Sequence, residues 1–215
     1  MKLLEKLLNE SSAMHKHLCP KQVLGVRMGL LAGKMLNIKV PQSGKRLLTI
    51  AETDGCAADG IAVATNCWVG HRTLRIEDYG KVAATFVDTE SGRALRIVPR
   101  STVRDAAREF AQGIASKWEQ QLIGYQQMPD ADLLVVTEVE LIVPIEKLIS
   151  KAGRKTNCHQ CGEEVINERE VRISGRILCR ACWGETYYRA VSNSAVTSER
   201  TKFPNYELPC EEIFP

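Results

Sequence analysis

Two imidazoles and a thiol stand at alternate positions near the start of the sequence. They belong to His15, His17 and Cys19, and Pro20 follows directly. Histidine nitrogen and cysteine sulfur are the common ligands of zinc. A proline disfavours helix at the residue before it, so we expect an extended segment in which residues i, i+2 and i+4 point to one side. Three ligands from so short a stretch fit one metal poorly, and we expect two from here and one from elsewhere.

Cys56 is the candidate for the ligand from elsewhere. Like Cys19, it stands just before a predicted helix, and the free N–H groups and partial positive charge of a helix N-terminus lower the pKa of a thiol. Two such thiols that converge would make a soft-metal site or a nucleophile. Other side chains of the same stretch could surround such a site, namely Asp54, Asp59, Cys67 and His71. The alternative is that Cys56 and Cys67 are small buried residues, as free cysteines usually are.

A nucleophilic role for Cys19, with His17 or His71 as its base, is a third interpretation. The sequence holds no GxSxG, no P-loop, no GxGxxG after a strand and no HExxH pattern, so the other common catalytic motifs are absent. The residues alone leave a metal site, a thiol enzyme and an inert core as open alternatives.

Two CxxC pairs stand in the C-terminal part of the sequence, 17 residues apart. Their cysteines are Cys158, Cys161, Cys179 and Cys182. This spacing is typical of one tetrahedral zinc site with four thiolate ligands. Ser174-Gly175 between the pairs predicts a hairpin turn, and a helix is predicted to start at Trp183 and run to Arg189. The order of knuckle, hairpin, knuckle and helix is that of a treble-clef zinc finger, in which His159 is not needed as a ligand.

The predicted finger carries little uncompensated charge. Residues 151–189 hold eight Lys/Arg and five Asp/Glu, and four thiolates around one Zn²⁺ reduce the resulting +3 to about +1. Strong phosphate binding needs several uncompensated cations, and the whole chain has a formal charge of only +3. We therefore expect a protein-docking or dimer-stabilising module, with nucleic acid an unlikely partner.

Hydrophobic periodicity predicts a mixture of helices and strands. Helices are expected from Leu3, over 20–36, from Cys56, and from Ser101 to about residue 126 with a break; strands are expected over 46–53, 82–88, 93–98 and 133–143. These elements do not alternate regularly as βαβ units, so an α+β fold is predicted. Glycine recurs every four residues in the second helix, at Gly25, Gly29 and Gly33. Either a backbone of a strand or second subunit packs closely there, or the glycines are tolerated in a buried helix.

The chain is expected to hold a core domain over 1–150, a finger over 151–190 that begins with a basic linker at 151–157, and an extended tail over 191–215. No apolar run approaches the ~18 residues of a membrane span, and charges interrupt any signal-peptide core near the start. A cytoplasmic protein without a membrane partner is therefore predicted. In that compartment eight cysteines indicate metal binding or catalysis rather than disulfides.

Several spaced blocks resemble the E-subunit family of formylmethanofuran dehydrogenase. Residues 15–21 (HKHLCPK) are similar to its His-Gly-His-x-Cys-Pro-Gly signature. The further blocks are 52–56 (ETDGC) followed by Asp59, then 66–70 (NCWVG), and then 78–81 (DYGK). The CxxC pairs match the zinc finger that many members carry.

The resemblance implies an α+β core with an antiparallel-rich sheet, often dimeric, and an auxiliary treble-clef finger. It also implies a metal site or active-site pocket in the core, built from the first two blocks, which would hold a second divalent metal in addition to the finger zinc. Carried over by position, that core site falls on His17, Cys19 and Cys56, with His15, Asp59 and Cys67 nearby. The chain departs from the signature at Lys16 and Lys21, where the family usually has glycine. Glycine permits a positive φ or the close approach of another backbone. The two lysines instead put cations at the mouth of the site.

The resemblance implies an accessory subunit, or a stand-alone metal- or small-molecule-binding protein, linked to the formylmethanofuran and CO2 chemistry of methanogenesis. The parent oxidoreductase needs a molybdenum or tungsten pterin and iron–sulfur carriers in other subunits, and this chain shows no iron–sulfur ligand pattern. The expected partners are a second copy, other dehydrogenase subunits and a small molecule. The alternatives are a zinc-finger interaction or regulatory module with an inert core, and a thiol-dependent enzyme that uses Cys19.

Overall fold

A computed structural model describes residues 2–149 and 151–189 of the chain. The chain divides into two units, Met1–Ile149 and Ser150–Pro215; the predicted tail, 191–215, lies outside the described residues. The helices of the first unit are α1 Leu3–His15, α2 Pro20–Leu36, α3 Cys56–Thr65, α4 Val103–Ala106, a 3₁₀ helix Ala107–Phe110, α5 Lys117–Gln127, α6 Asp130–Leu133 and α7 Ile145–Leu148. Its strands are β1 Leu47–Ala51, β2 Leu74–Ile76, β3 Ala84–Asp88, β4 Ala94–Pro99 and β5 Leu134–Val139.

The five strands form one sheet in the order β2-β1-β3-β4-β5. Three of the strand pairs in this sheet are antiparallel: β1–β3, β3–β4 and β4–β5. The pair β1–β2 is parallel. The predicted α+β class with an antiparallel-rich sheet is confirmed. Strand β2 was not predicted, because its three residues are too short to show a period of two. Together β1, α3 and β2 form a βαβ unit at one edge of the sheet.

Side chains alternate between the two faces of the sheet. Leu47, Phe86 and Leu95 join the main core beneath the helices. Their chain neighbours Leu48, Val87 and Ala94 form a second cluster. It is covered by Val139 at the end of β5 and by Leu141, Ile145 and Leu148 of the segment that follows. Both faces of the central strands are therefore buried, and the sheet is a fixed platform for the helices above it.

Helices α2 and α3 are in backbone contact. A Cβ at Gly25 would lie 2.2 Å from the carbonyl oxygen of Ala57, and one at Gly60 would lie 2.3 Å from that of Gln22. Farther along, a Cβ at Gly29 would lie 2.7 Å from the Cβ of Ala64. The two helices therefore run side by side in the same direction, with their N-termini at the same end. The close approach expected from the glycine repeat is present at Gly25 and Gly29, but helix α3 makes it, rather than a strand or a second subunit. At Gly33 an added Cβ would meet Val40 at 2.5 Å instead.

The helix predicted from Ser101 is divided into three pieces. Helix α4 and the 3₁₀ helix end at Phe110, and α5 begins at Lys117. Gly113 lies between them with a φ of +79°, a left-handed conformation that ends a helix. Among the described residues, no helix is both long and apolar enough to cross a membrane.

Residues 151–189 of the second unit contain two hairpins and one helical turn. Strand β6 Lys155–Asn157 pairs with β7 Glu164–Ile166, and β8 Val171–Ile173 pairs with β9 Arg176–Leu178. The predicted linker at 151–157 therefore ends in a strand. The hairpin turn predicted at Ser174-Gly175 is present, with a positive φ at both residues. The helix predicted over 183–189 is wrong: α8 spans Arg180–Trp183, and Gly184 ends it with a φ of +111°.

Candidate metal and thiol sites

The four CxxC cysteines meet at one point in the second unit. Their sulfur atoms all lie within 4.8 Å of one another. The Cys182 N–H donates to the Cys179 sulfur at 3.4 Å, and the Gln160 N–H donates to the Cys158 sulfur at 3.4 Å. Hydrogen bonds of this kind stabilise thiolates. The cluster is compatible with a small zinc-binding domain, as the spacing predicted.

The environments of these thiols differ before a metal binds. Burial raises the pKa of Cys158, but the N–H groups around it outweigh burial and lower that pKa to about 6. Burial chiefly raises the pKa of Cys161 to about 11, and the Cys158 and Cys179 thiols add to the shift. A divalent cation would therefore meet the Cys158 thiolate at neutral pH and would displace the proton of Cys161.

In the first unit, one imidazole joins a thiol and a carboxylate. His15 is the last residue of α1, and its Nε2 lies 3.3 Å from the Cys56 sulfur. Its Nδ1 lies 3.1 Å from Oδ2 of Asp59. Cys56 and Asp59 are three residues apart on α3, so that helix presents both side chains on one face. The carboxylate fixes the ring, and with the proton on Nδ1 the Nε2 lone pair faces the sulfur.

Cys19 borders the same group from the start of α2. It is the N-cap residue of α2, and Cys56 is the first residue of α3. Because the two helices run in the same direction, their N-terminal ends bring the two thiols together. Burial raises the pKa of Cys56, and the Cys19 thiol and the Asp59 carboxylate raise it further. At Cys56 these effects outweigh the helix N-terminus, which was expected to lower the pKa.

His17 occupies a different place from the one its spacing suggests. Helix α1 continues to His15, and Lys16 turns the chain with a φ of +64°, so the expected extended segment over 15–19 is interrupted. His17 is exposed, and its ring centre lies 4.7 Å from that of His15. In residues 2–149, His17, Cys19 and Cys56 do not form a set whose ligand atoms all lie within 4.8 Å. The core metal site stays a prediction, and the imidazole that faces the Cys56 thiol is that of His15 rather than His17.

Cys67 and His71 lie at the other end of α3. Cys67 is fully buried and accepts hydrogen bonds from Gln42 at 3.2 Å and Thr49 at 3.4 Å. Burial raises its pKa. Helix α3 has ten residues, about 15 Å of helix, and separates Cys67 from Cys56. His71 precedes β2, which is parallel to β1, so it lies at the opposite end of these strands from Cys56. The buried-residue alternative thus fits Cys67.

Gln22 is a residue of this region that was not singled out from the sequence. Its side chain accepts a hydrogen bond from the Cys19 N–H at 2.8 Å. A signal was present, because a glutamine three residues after an N-cap is one half of a capping box. The cysteine in place of serine or threonine at the cap concealed it.

The fold and the four-cysteine cluster define an α+β protein with a second, four-cysteine module that is compatible with metal binding. Residues 14–135 match the family model described as FmdE, molybdenum formylmethanofuran dehydrogenase operon. This match covers more than half of the chain, which therefore belongs to the FmdE family, as the sequence blocks indicated.

Two relatives extend this comparison. A protein of Archaeoglobus fulgidus described as a probable S-adenosyl-L-methionine-binding protein is 27% identical over an alignment of 215 positions, which covers 90% of this chain and 56% of that protein. The chain thus spans about half the length of this relative. The crystal structure of an FmdE-like protein of the tungsten formylmethanofuran dehydrogenase type, from Syntrophus aciditrophicus, matches with a TM-score of 0.56 and 22% identity, over 86% of this chain and 95% of that one. At this identity the likeness shows the fold alone.

The two lysines at family glycine positions have opposite expected effects on stability. Lys16 has a positive φ, which costs an L-residue about 1 kcal/mol relative to glycine, whereas Lys21 lies inside α2. Lys16→Gly is expected to raise the free energy of unfolding by about 1 kcal/mol. Lys21→Gly should lower it by about 0.5 kcal/mol. Urea denaturation of both variants measures this, and equal shifts of the same sign would contradict it.

Proposed function

We propose that the chain is a two-metal protein of the FmdE family. The finger cysteines hold a structural zinc, and a second divalent metal binds in the core to Cys19, Cys56 and an imidazole. A small molecule would take the remaining position on that metal, as in open catalytic sites with three protein ligands. The observation that carries the proposal is the contact of His15 with both Cys56 and Asp59.

This contact has the dimensions of a metal site. Zinc–sulfur and zinc–nitrogen bond lengths place two ligand atoms of one tetrahedral metal roughly 3.5 Å apart, and the Cys56 sulfur lies 3.3 Å from His15 Nε2. Metal-bound histidines usually donate the other ring N–H to a carboxylate, which is the place of Asp59. In residues 2–149 no three such ligand atoms lie within 4.8 Å of one another, so a side-chain rotation of Cys19 or His17 would have to supply the third ligand. The raised pKa of Cys56 is compatible with this use, since a bound metal displaces the thiol proton.

Metal content tests the proposal. Full-length protein purified without oxygen is expected to hold about two metal ions per chain, and Cys56→Ala should hold about one. Cys67→Ala is the matched control, because Cys67 is bonded to Gln42 and Thr49 at the far end of α3. One metal ion in wild type, lost with the finger cysteines, would refute the core metal.

A thiol-dependent activity is the second candidate, and it now centres on Cys56. Thiol, imidazole and carboxylate lie in the order of a nucleophile, its base and the group that orients the base. His15 would accept the Cys56 proton, whereas the sequence had suggested Cys19 with His17 or His71. Iodoacetamide should then alkylate Cys56 faster in wild type than in His15→Ala. Equal rates would exclude base assistance.

The finger is proposed as a protein-docking module. Its cations lie beside carboxylates, as in the ion pairs Lys155–Glu164, Arg172–Glu170, Lys151–Glu168 and Arg180–Glu185. Such pairing leaves little charge for a phosphate backbone. We infer a cytoplasmic homodimer, and an accessory role beside the subunits of a formylmethanofuran dehydrogenase-type oxidoreductase, which would link the chain to one-carbon metabolism and methanogenesis. Light scattering on the purified protein tests the dimer, and co-purification from its native cells tests the complex.

The description of the Archaeoglobus relative offers a small molecule for the core. The amino and carboxylate groups of S-adenosyl-L-methionine are donors that could bind at an open metal position, whereas its sulfonium is a cation and could not. Equilibrium dialysis with the labelled compound would show binding by wild type. Loss of that binding in Cys56→Ala would place it at the core site.

A further inference from the structure

Gln22 is a fully buried polar side chain at the start of α2. Burying an amide is costly unless its hydrogen bonds are made, and here they are. Its Oε1 accepts from the Cys19 N–H at 2.8 Å. Its Nε2 donates to the Ser11 carbonyl oxygen and to the Ser11 hydroxyl, each at 2.9 Å. One side chain thus ties the N-cap of α2 to helix α1.

The backbone of the same residue meets the third element of the site. A Cβ on Gly60 of α3 would lie 2.3 Å from the Gln22 carbonyl oxygen, so α3 rests directly on this peptide group. Gln22 is therefore in contact with α1, with the start of α2 and with α3. These three elements carry His15, Cys19 and Cys56.

The contact with Ser11 bears directly on the imidazole. Ser11 and His15 are four residues apart on α1, and residues at this spacing lie on one face of a helix. Holding Ser11 against Gln22 therefore sets the rotation of α1 about its axis. That rotation determines whether His15 faces Cys56 or turns toward solvent.

We propose that Gln22 is the positioning residue of the core site, fixing Cys19 and His15 in register with Cys56. The inference rests on the proposed function, because it takes the core as a metal site. Residues that orient metal ligands typically change metal affinity 10- to 100-fold when they are replaced. Gln22 would act in this way through the main chain of Cys19 and through α1, without touching the metal.

The test compares two buried glutamines of the same fold. Gln42 is 6% exposed, and its side chain is bonded to the backbone of Leu47 and to Cys67, at the far end of α3 from the core site. Gln22→Met and Gln42→Met remove similar hydrogen bonds and keep the side-chain volume. Both should lose stability, but only Gln22→Met should lose the core geometry.

The readout is cobalt(II) affinity of the full-length protein with zinc already in the finger. Thiolate-to-cobalt absorption bands report the core ligands, and denaturation midpoints report stability. We expect Gln22→Met to weaken cobalt binding roughly 10- to 100-fold and Gln42→Met to change it less than about twofold. Unchanged affinity in Gln22→Met, or equal loss in both variants, would overturn the proposal.

Two further measurements keep the outcome interpretable. Ser11→Ala removes one hydroxyl and is the milder variant if Gln22→Met does not fold. It should also weaken cobalt binding. Because both changes break the same contact, adding Ser11→Ala to Gln22→Met should weaken binding little further.

If wild type binds no cobalt in the core, the proposed function fails, and the alkylation rate of Cys56 then tests the positioning role of Gln22 alone. The positioning role predicts that Gln22→Met, but not Gln42→Met, shifts that rate toward the His15→Ala value. An unshifted rate would overturn it.

Discussion

Replacing Cys179 by serine is expected to unfold the finger and leave the first unit folded. Binding of a structural zinc supplies about 10–16 kcal/mol in small zinc modules, and that energy is the folding energy of the module. Within residues 151–189 the buried apolar cluster of the finger is small and consists of Cys158, Val165 and Leu178, so the metal is expected to supply most of its stability. Hydrogen exchange of the full-length chain measures the effect. The amides of β6–β9 should lose their protection, and those of β1, β3 and β4 should keep theirs.

Cys67→Ala is the matched control for the finger variant. It removes a buried thiol from the other unit and should leave the protection of β6–β9 unchanged. Acid should reproduce the effect of Cys179→Ser in wild type, because falling pH returns protons to the thiolates and releases the metal. A finger that keeps its protected amides in Cys179→Ser, or after chelation, would show that its fold does not depend on the metal.

Local signals in the sequence account for much of the fold. Pro20 and the sequence after it predict α2, which spans Pro20–Leu36. The strands expected over 82–88 and 93–98 are present as β3 and β4, and the CxxC spacing predicts the four-cysteine cluster. In each case the determining residues lie within a few positions of one another, so conformational preference and spacing suffice.

The arrangement of the core site depends instead on contacts between distant residues. The family resemblance placed the core site on His17, and spacing could not show that α1 would continue to His15 and turn at Lys16. It placed Cys67 near the site because the sequence separation from Cys56 is small, but the rigid length of α3 holds the two thiols apart. It assigned the close approach at Gly25 to a strand or another subunit, because the partner glycine, Gly60, carries no signal of its own in a short helix.

Replacing Gly25 by alanine is expected to destabilise the first unit by roughly 3 kcal/mol or more, at the upper end of the usual cost of overpacking. The new methyl would lie 2.2 Å from the Ala57 carbonyl oxygen and 2.9 Å from the Ile61 nitrogen. Both are backbone atoms of α3, so no side chain can move aside, and the helices must separate. The better helix propensity of alanine returns only about 1 kcal/mol. Urea denaturation of the full-length chain measures the loss.

Gly44→Ala separates this steric effect from a general effect of removing glycine. No atom lies within 4 Å of the added methyl at Gly44, and its φ is not positive, so its stability should change by less than about 0.5 kcal/mol. Because α2 and α3 carry Cys19 and Cys56 at their adjoining ends, the separation forced by Gly25→Ala should also weaken cobalt binding in the core. Gly44→Ala should bind cobalt as wild type does. A Gly25→Ala protein with wild-type stability would mean that the two helix backbones are not in contact. The helix N-termini would then not be what holds the two thiols together.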